Sequence, residues 1–151
     1  MKQMLLLAPG ALLLLSSYQK EDLPQADCTT QAVETTAVTC WNTRTYCFVT
    51  PVEGGKYQAY VINSATELQA LNHCTTTPAI DFARYTLLVV KTKTAECRSV
   101  KTQQVVRSCA QYTVQVTLAA GACQASTEVL YYTLVPRLAA GAQVAFEVTL
   151  P

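Results

Sequence analysis

Apolar and polar residues alternate in two segments with the period of two that a half-buried β-strand requires. The segments are residues 111–118 and 144–150. The apolar face of the first contains Tyr112, Val114, Val116 and Leu118. The apolar face of the second contains Val144, Phe146, Val148 and Leu150. We predict a strand in each.

Residues 85–91 follow a different pattern, an unbroken apolar run within Tyr-Thr-Leu-Leu-Val-Val-Lys. Such a run is typical of a central strand that is covered on both faces. Turn residues separate three more segments of strand character, at 57–62, 98–107 and 124–135. The pattern therefore predicts about six strands.

One short helix is predicted from about residue 65 to residue 73. Ser64 and Glu67 have the spacing of a capping box, in which each side chain accepts a backbone N–H of the other residue. Leu68 and Leu71 then fall on the buried side. Together these elements predict a mostly β fold, either an antiparallel β-sandwich or an open barrel, with one helix.

The first 17 residues predict an export leader. Lys2 precedes an apolar run from Met4 to Leu15, which would rise about 18 Å as a helix. A bilayer's hydrocarbon core is about 30 Å thick, so the run fits a signal sequence better than a membrane span. We expect residues 18–27 to form a polar tether and residues 28–151 to form one disulfide-bearing β domain.

The end of the leader, Leu15-Ser16-Ser17, resembles the lipobox of bacterial lipoproteins. Tyr18 stands where the lipobox has a cysteine, whose thiolate takes the lipid, and a phenol with a pKa of about 10 does not replace it. Membrane attachment is therefore open: the chain is a lipoprotein variant, a released protein, or a protein held by its leader. The expected location is the bacterial periplasm, the outer membrane surface or the extracellular space.

Seven cysteines follow the leader: Cys28, Cys40, Cys47, Cys74, Cys97, Cys109 and Cys123. Cytosolic proteins rarely carry so many without a metal site, and no CxxC pair occurs. We therefore predict disulfides, and the odd count leaves at least one thiol free or paired with another molecule. In a meander, Cys97 and Cys123 would begin strands two apart, so we prefer that bridge. Cys109 lies at the opposite hairpin end, toward Cys74 or the Cys40–Cys47 loop.

Charged residues make up 14% of the chain and the formal net charge is +1, so the charge balance does not favour nucleic acid. Five basic residues cluster in one stretch: Lys91, Lys93, Arg98, Lys101 and Arg107. They form a candidate docking face for an acidic partner or a polysaccharide. Alternatively, they are a solvated loop and edge strand whose lysines discourage strand pairing.

The residues predict no catalytic, cofactor-binding or metal-binding set. His73 is the single histidine, and on a helix its neighbour Cys74 would point about 100° away, so the two cannot form a nucleophile and base pair. Asp81 enters a strand, where an aspartate usually caps a turn. No GxSxG, HExxH or P-loop signature occurs.

Four features lie in order between residues 62 and 135: the capped helix with Glu67-Leu68, Ile80-Asp81-Phe82, the apolar strand 87–90, and a meander closing on Leu134-Val135-Pro136. This order resembles the C-terminal domain of accessory subunits of bacterial protease complexes (PrcB-like) and related envelope lipoproteins. Where that family has a Gly-rich turn after the apolar strand, this chain has 91–97. The resemblance implies a non-catalytic, partner-binding role.

The sequence thus favours an exported, non-enzymatic cell-envelope domain that binds or stabilises a protein partner. One alternative is a small secreted hydrolase. Another is a protease inhibitor that presents the Cys40–Cys47 loop as a substrate mimic.

Overall fold

The computed structural model describes residues 28–38, 56–72 and 77–150. In these ranges the chain is mostly β, with seven strands in two sheets and one short helix. The strands are β1 (Gln31–Ala32), β2 (Tyr57–Ile62), β3 (Tyr85–Thr94), β4 (Arg98–Ser108), β5 (Gln111–Ala120), β6 (Thr127–Pro136) and β7 (Gln143–Thr149), and the helix is α1 (Ala65–Leu71). The predicted leader and tether, together with Cys40, Cys47, His73 and Cys74, lie outside the described residues.

The two sheets pack as a sandwich, which confirms the predicted fold class. Sheet A has the strand order β1-β4-β5-β7, and sheet B has the order β2-β3-β6. Two details of the prediction were wrong. β5 and β7 pair in parallel, whereas the other pairs are antiparallel. The segments that became β4, β5 and β6 do not form one meander, because β6 crosses to sheet B and pairs with β3.

The core between the sheets is built from alternate residues of the facing strands. Val114, Val116 and Leu118 of β5 are buried against residues of β3 and β6. This confirms the alternation predicted for β5. In β7, Val144, Phe146 and Val148 also pack against this core, but Leu150 lies beyond the strand and is 44% exposed.

Strand β3 is covered on both faces, as its apolar run predicts. Leu88 and Val90 belong to the core between the sheets. Leu87 and Val89 belong to a second cluster, which contains Leu68 of α1. The helix therefore covers the outer face of sheet B, and sheet B is the middle layer of the molecule.

Helix α1 begins with the predicted cap. Ser64 Oγ accepts the N–H of Glu67 at 3.2 Å, and Glu67 Oε2 accepts the N–H of Asn63 at 2.7 Å, one residue before the position that a capping box uses. The helix ends at Leu71, earlier than predicted, because Asn72 has an extended backbone and its side chain donates to Thr77 Oγ1 at 3.1 Å.

A disulfide joins the two crossovers between the sheets, one from β3 to β4 and the other from β5 to β6. It links Cys97 to Cys123, as predicted. Two backbone hydrogen bonds accompany it: Cys97 N–H donates to Cys123 O at 3.0 Å, and Gly121 N–H donates to Cys97 O at 2.7 Å. The predicted pairing is confirmed, but the reason given for it was wrong. The two cysteines meet because both crossovers between the sheets lie at the same end of the sandwich, not because their strands belong to one meander.

Gly121 lies so close to Cys97 that a Cβ would stand 2.7 Å from the Cys97 carbonyl oxygen. We expect Gly121→Ala to lower the free energy of unfolding by about 1–3 kcal/mol, because the crossovers must separate and the hydrogen bond must lengthen. Denaturant unfolding measures the loss.

Gly141→Ala is the matched control, because nothing lies within 4 Å of its Cβ position and only its φ of +82° opposes a side chain. We expect about 1 kcal/mol there. A loss at Gly121 no larger than the loss at Gly141 would contradict the steric account.

Residues 28–36 cross one side of the sandwich, and we call them the strap. Cys28 is bonded to Cys109, in the turn between β4 and β5. β1 pairs with the end of β4, and Val33 N–H donates to Val105 O at 2.8 Å. Farther along, Thr36 exchanges two backbone hydrogen bonds with Leu134 of β6, at 2.9 and 3.1 Å. The strap therefore joins the edges of both sheets.

The predicted partners of Cys109 were wrong. Because β1 runs antiparallel to the end of β4, the strap brings Cys28 to the turn that holds Cys109. With both bridges in place, the fold carries the disulfides of a protein that matures in an oxidising, extracytoplasmic environment. Within the described ranges, no helix has the length and apolar character to cross a membrane.

Candidate interaction face

The outer face of sheet A is a three-by-three array of side chains from β4, β5 and β7. The strand register aligns them in three rows, which are Thr102-Thr117-Thr149, Gln104-Gln115-Glu147 and Val106-Thr113-Ala145. We call these nine residues the polar face. On β5 and β7 they point away from the core because the residues between them pack into it, and on β4 Val105 packs into it between Gln104 and Val106.

Hydrogen bonds connect the central row from end to end. Gln104 Nε2 donates to Gln115 Oε1 at 2.6 Å, and Gln115 Nε2 donates to Glu147 Oε2 at 2.9 Å. The bonds run in one direction, with each amide donating toward the carboxylate. These bonds restrict both glutamine side chains, so a ligand that contacts them loses less rotamer entropy on binding.

Glu147 is the one ionisable residue of the polar face. The other members are threonine, glutamine, valine and alanine, and a shallow depression of about 480 Å³ lies over the threonine and glutamine rows. Cores of protein interfaces are depleted in charged residues, since burying a charge costs more than burying a hydroxyl or amide that keeps a hydrogen bond. Apart from Glu147, the side chains of the polar face therefore cost little free energy to desolvate, provided that their hydroxyls and amides keep hydrogen bonds.

The five basic residues of the predicted docking face do not form one surface. Lys91 lies on β3, is 3% exposed, and its Nζ is 3.3 Å from Glu128 Oε2. Its burial follows from the position of β3, which is covered on both faces. Arg98 pairs with Glu96 at 3.3 Å, and its side chain is 15% exposed. Neither residue presents an open cation to a partner.

The other three cations are divided between the sheets: Lys93 lies on β3 in sheet B, and Lys101 and Arg107 lie on β4 in sheet A. Lys101 falls at a shift of register between Val100 and Thr102. A lysine at a bulge hinders strand pairing at an exposed edge. Its position fits the alternative interpretation of the basic run, edge protection.

Asp81 caps a turn, as predicted. Its Oδ1 accepts the N–H of Ala83 at 3.0 Å, and its backbone carbonyl accepts the N–H groups of Arg84 and Tyr85, each at 3.0 Å. Within ranges 28–38, 56–72 and 77–150, no three His, Cys, Asp or Glu side chains come together as metal ligands.

Two tyrosines of β6 have shifted ionisation. Burial raises the pKa of Tyr131, against a smaller opposing effect of its hydrogen bond with Thr133. Burial also raises the pKa of Tyr132. Both lie in sheet B, away from the polar face, and their shifts come from packing in the two clusters.

The sequence identified the polar sides of β5 and β7 but not the array. Before the bulge, Val100 pairs with Leu118, and uninterrupted pairing would bring Gln103 opposite Gln115. The bulge at Lys101 brings Gln104 there instead. No residue pattern in β4 predicts this shift of register, so the alignment of Gln104 with Gln115 and Glu147 was not predictable from the sequence.

Comparisons of the chain with models of known protein families, with curated proteins and with solved structures gave no match. The resemblance of residues 62–135 to the PrcB-like domain stays a prediction.

Proposed function

We propose that this chain is a non-enzymatic binding domain of the bacterial cell envelope and that the polar face is the centre of its contact with a protein partner. The observation that carries the proposal is the hydrogen-bonded row Gln104-Gln115-Glu147. The leader-like first 17 residues and the two disulfides support export. The resemblance to accessory subunits of protease complexes supports a partner-binding role.

The size of the polar face points to a role at the centre of a larger contact. Its three strands lie about 4.8 Å apart and its rows about 7 Å apart, so the array covers less than the roughly 800 Å² that each partner buries in a standard interface. A partner that centres on this array also covers residues around it. The amides of the central row then donate their second N–H to the partner's backbone or side chains at a reduced cost in rotamer entropy.

Gln115→Arg tests the proposal. Arginine has no acceptor for the Gln104 amide, and beside Glu147 it replaces the Gln115–Glu147 hydrogen bond with an ion pair that a partner would have to desolvate. We expect capture of the partner from envelope extract by the immobilised, oxidised protein to weaken at least about tenfold, which corresponds to about 1.4 kcal/mol. Quantitative mass spectrometry of the bound fraction measures this.

Gln69→Arg is the matched control, because Gln69 is exposed on α1, on the other side of sheet B. Thermal unfolding checks that both variants stay folded. Equal capture by Gln115→Arg and the unmodified protein would exclude the polar face. Failure of the unmodified protein to retain any specific protein would exclude the partner-binding function itself.

A further inference from the structure

The two disulfides that lie within the described residues have different surroundings. Cys28 and Cys109 are both exposed, and they line a pocket of about 300 Å³ together with Arg107. In the other bridge Cys123 is also exposed, but Cys97 is half-buried, its backbone is hydrogen-bonded within the crossovers, and Thr127 Oγ1 lies 3.6 Å from its Sγ. A thiol in solution therefore reaches the Cys28–Cys109 bond more easily.

Arg107 is held next to Cys109. Its Nε donates to Cys109 O at 2.7 Å, and its guanidinium carbon lies 5.7 Å from the centre of the Tyr112 ring. A fixed cation near a cysteine favours the thiolate form, and a sulfur that leaves as a stabilised thiolate is displaced faster. The guanidinium is anchored on the backbone of Cys109, in the pocket that both cysteines line, and this anchoring favours Cys109 as the leaving group.

Among residues 28–38, 56–72 and 77–150, the contacts that hold the strap besides the disulfide are mainly backbone hydrogen bonds. Its residues are exposed except for the half-buried Val33. In the described part of the chain its hydrogen bonds include the short β1 pairing, Val33 N–H to Val105 O, Ser108 Oγ to Cys28 O at 3.1 Å, and the exchange between Thr36 and Leu134. Little apolar area opposes separation, so the disulfide keeps these bonds formed by holding the strap at high local concentration.

We propose that Cys28–Cys109 is a thiol-exchange site for a dithiol reductant, such as an envelope dithiol oxidoreductase, and that its reduction releases the strap from both sheets. A thiolate of the reductant attacks Cys28 Sγ, the S–S bond breaks, and Cys109 leaves as a thiolate that takes up a proton. The second thiol of the reductant then displaces Cys28 from the mixed disulfide. The products are two cysteine thiols and one oxidised reductant, a transfer of two electrons and two protons.

Release of the strap changes the surface of the domain. It uncovers the backbone groups of Val105 and of the end of β4, together with those of Leu134 on β6. These groups leave a short open edge on each sheet, to which another strand can add. These edges offer backbone groups rather than the side chains of the polar face, which they meet only at Val106, so the proposal goes beyond the function proposed above.

Graded reduction of the oxidised full chain with dithiothreitol tests the order of exchange. Free thiols are alkylated under native conditions and each cysteine is mapped by mass spectrometry. We expect Cys28 and Cys109 to be reduced at least tenfold faster than Cys97 and Cys123. Equal rates, or the opposite order, would overturn the proposal.

Hydrogen exchange of the selectively reduced protein tests the release. The amides of Val33, Thr36 and Leu134 are expected to lose protection, whereas those of Leu88 and Val114 keep it. Retained protection at the strap amides would overturn the release. The Cys28→Ala/Cys109→Gly variant cannot form the bond, and its glycine suits the φ of 54° at position 109. Hydrogen exchange at the same amides of this variant, without reductant, is the second measurement.

The role of Arg107 is tested by the rate of reduction. Arg107→Gln is expected to slow the reaction at Cys28–Cys109 at least threefold, and Arg107→Lys, which keeps the charge, is expected to react faster than Arg107→Gln. The rate at Cys97–Cys123 should not change in either variant. An unchanged rate in Arg107→Gln would remove the cation from the mechanism.

Discussion

Leu88→Ala is expected to lower the free energy of unfolding by about 3–4 kcal/mol. Leu88 is fully buried on the central strand of sheet B and faces sheet A, where it packs in the cluster that contains Val114 and Val135. The substitution removes apolar contacts from both sheets at once and leaves a cavity that neither ordered sheet can fill by shifting. Guanidinium unfolding followed by circular dichroism measures the loss.

Leu150→Ala removes the same atoms from a side chain that is 44% exposed, so it controls for the chemistry of the change. We expect a loss below about 1 kcal/mol. If the two variants were equally stable, the two sheets would not share the core described here.

The double variant Cys97→Ala/Cys123→Ala is expected to lose about 3.5 kcal/mol, the loop-closure entropy of a segment of this length. The bridged residues are 26 positions apart. The disulfide acts mainly on the unfolded chain, which it prevents from exploring conformations in which the crossovers are far apart. The same unfolding assay, run without reductant, measures the difference.

Ala122→Ser, an exposed change in the same crossover, is the control and should stay within about 0.5 kcal/mol of the parent. A loss below about 1 kcal/mol in the cysteine variant would mean that the backbone bonds of Gly121 and Cys97 hold the crossovers without help.

Patterns within single segments predicted the elements that depend on local physics. The serine and glutamate of 64–67 placed the start of the helix, and the alternation in 111–118 placed a strand and its buried side. The apolar run of 85–91 placed a doubly covered strand. In each case a period, a cap or an apolar run appears in fewer than about ten consecutive residues.

Features that depend on pairing between distant segments were not predictable. β1 is two residues long and exposed, so it has no periodicity to detect. The parallel pairing of β5 with β7 and the crossing of β6 to sheet B are choices among strand partners that hydrophobicity alone does not distinguish. The array of the polar face depends on one bulge, and the partner of Cys28 depends on the path of the strap.

The charge of Lys91 also misled the sequence interpretation. A lysine at the end of an apolar run is usually exposed, and here Glu128 on the neighbouring strand balances it below the surface. The pair is diagonal, since Lys91 stands opposite Leu130 and Glu128 stands opposite Lys93. Such a partner is recognised only after the register of β3 and β6 is known.

The parallel pairing of β5 and β7 determines how the domain responds to mechanical force. A pull between Cys28 and Leu150 enters β5 at its start through the Cys28–Cys109 bond and leaves from the end of β7. The two strands are then drawn past each other, and the bonds along their seven paired positions resist together rather than opening in sequence. With the bond reduced, the same pull first peels the strap and β1 from their few contacts. The Cys28–Cys109 disulfide therefore determines whether the force loads all the hydrogen bonds between β5 and β7 at once or first detaches the strap.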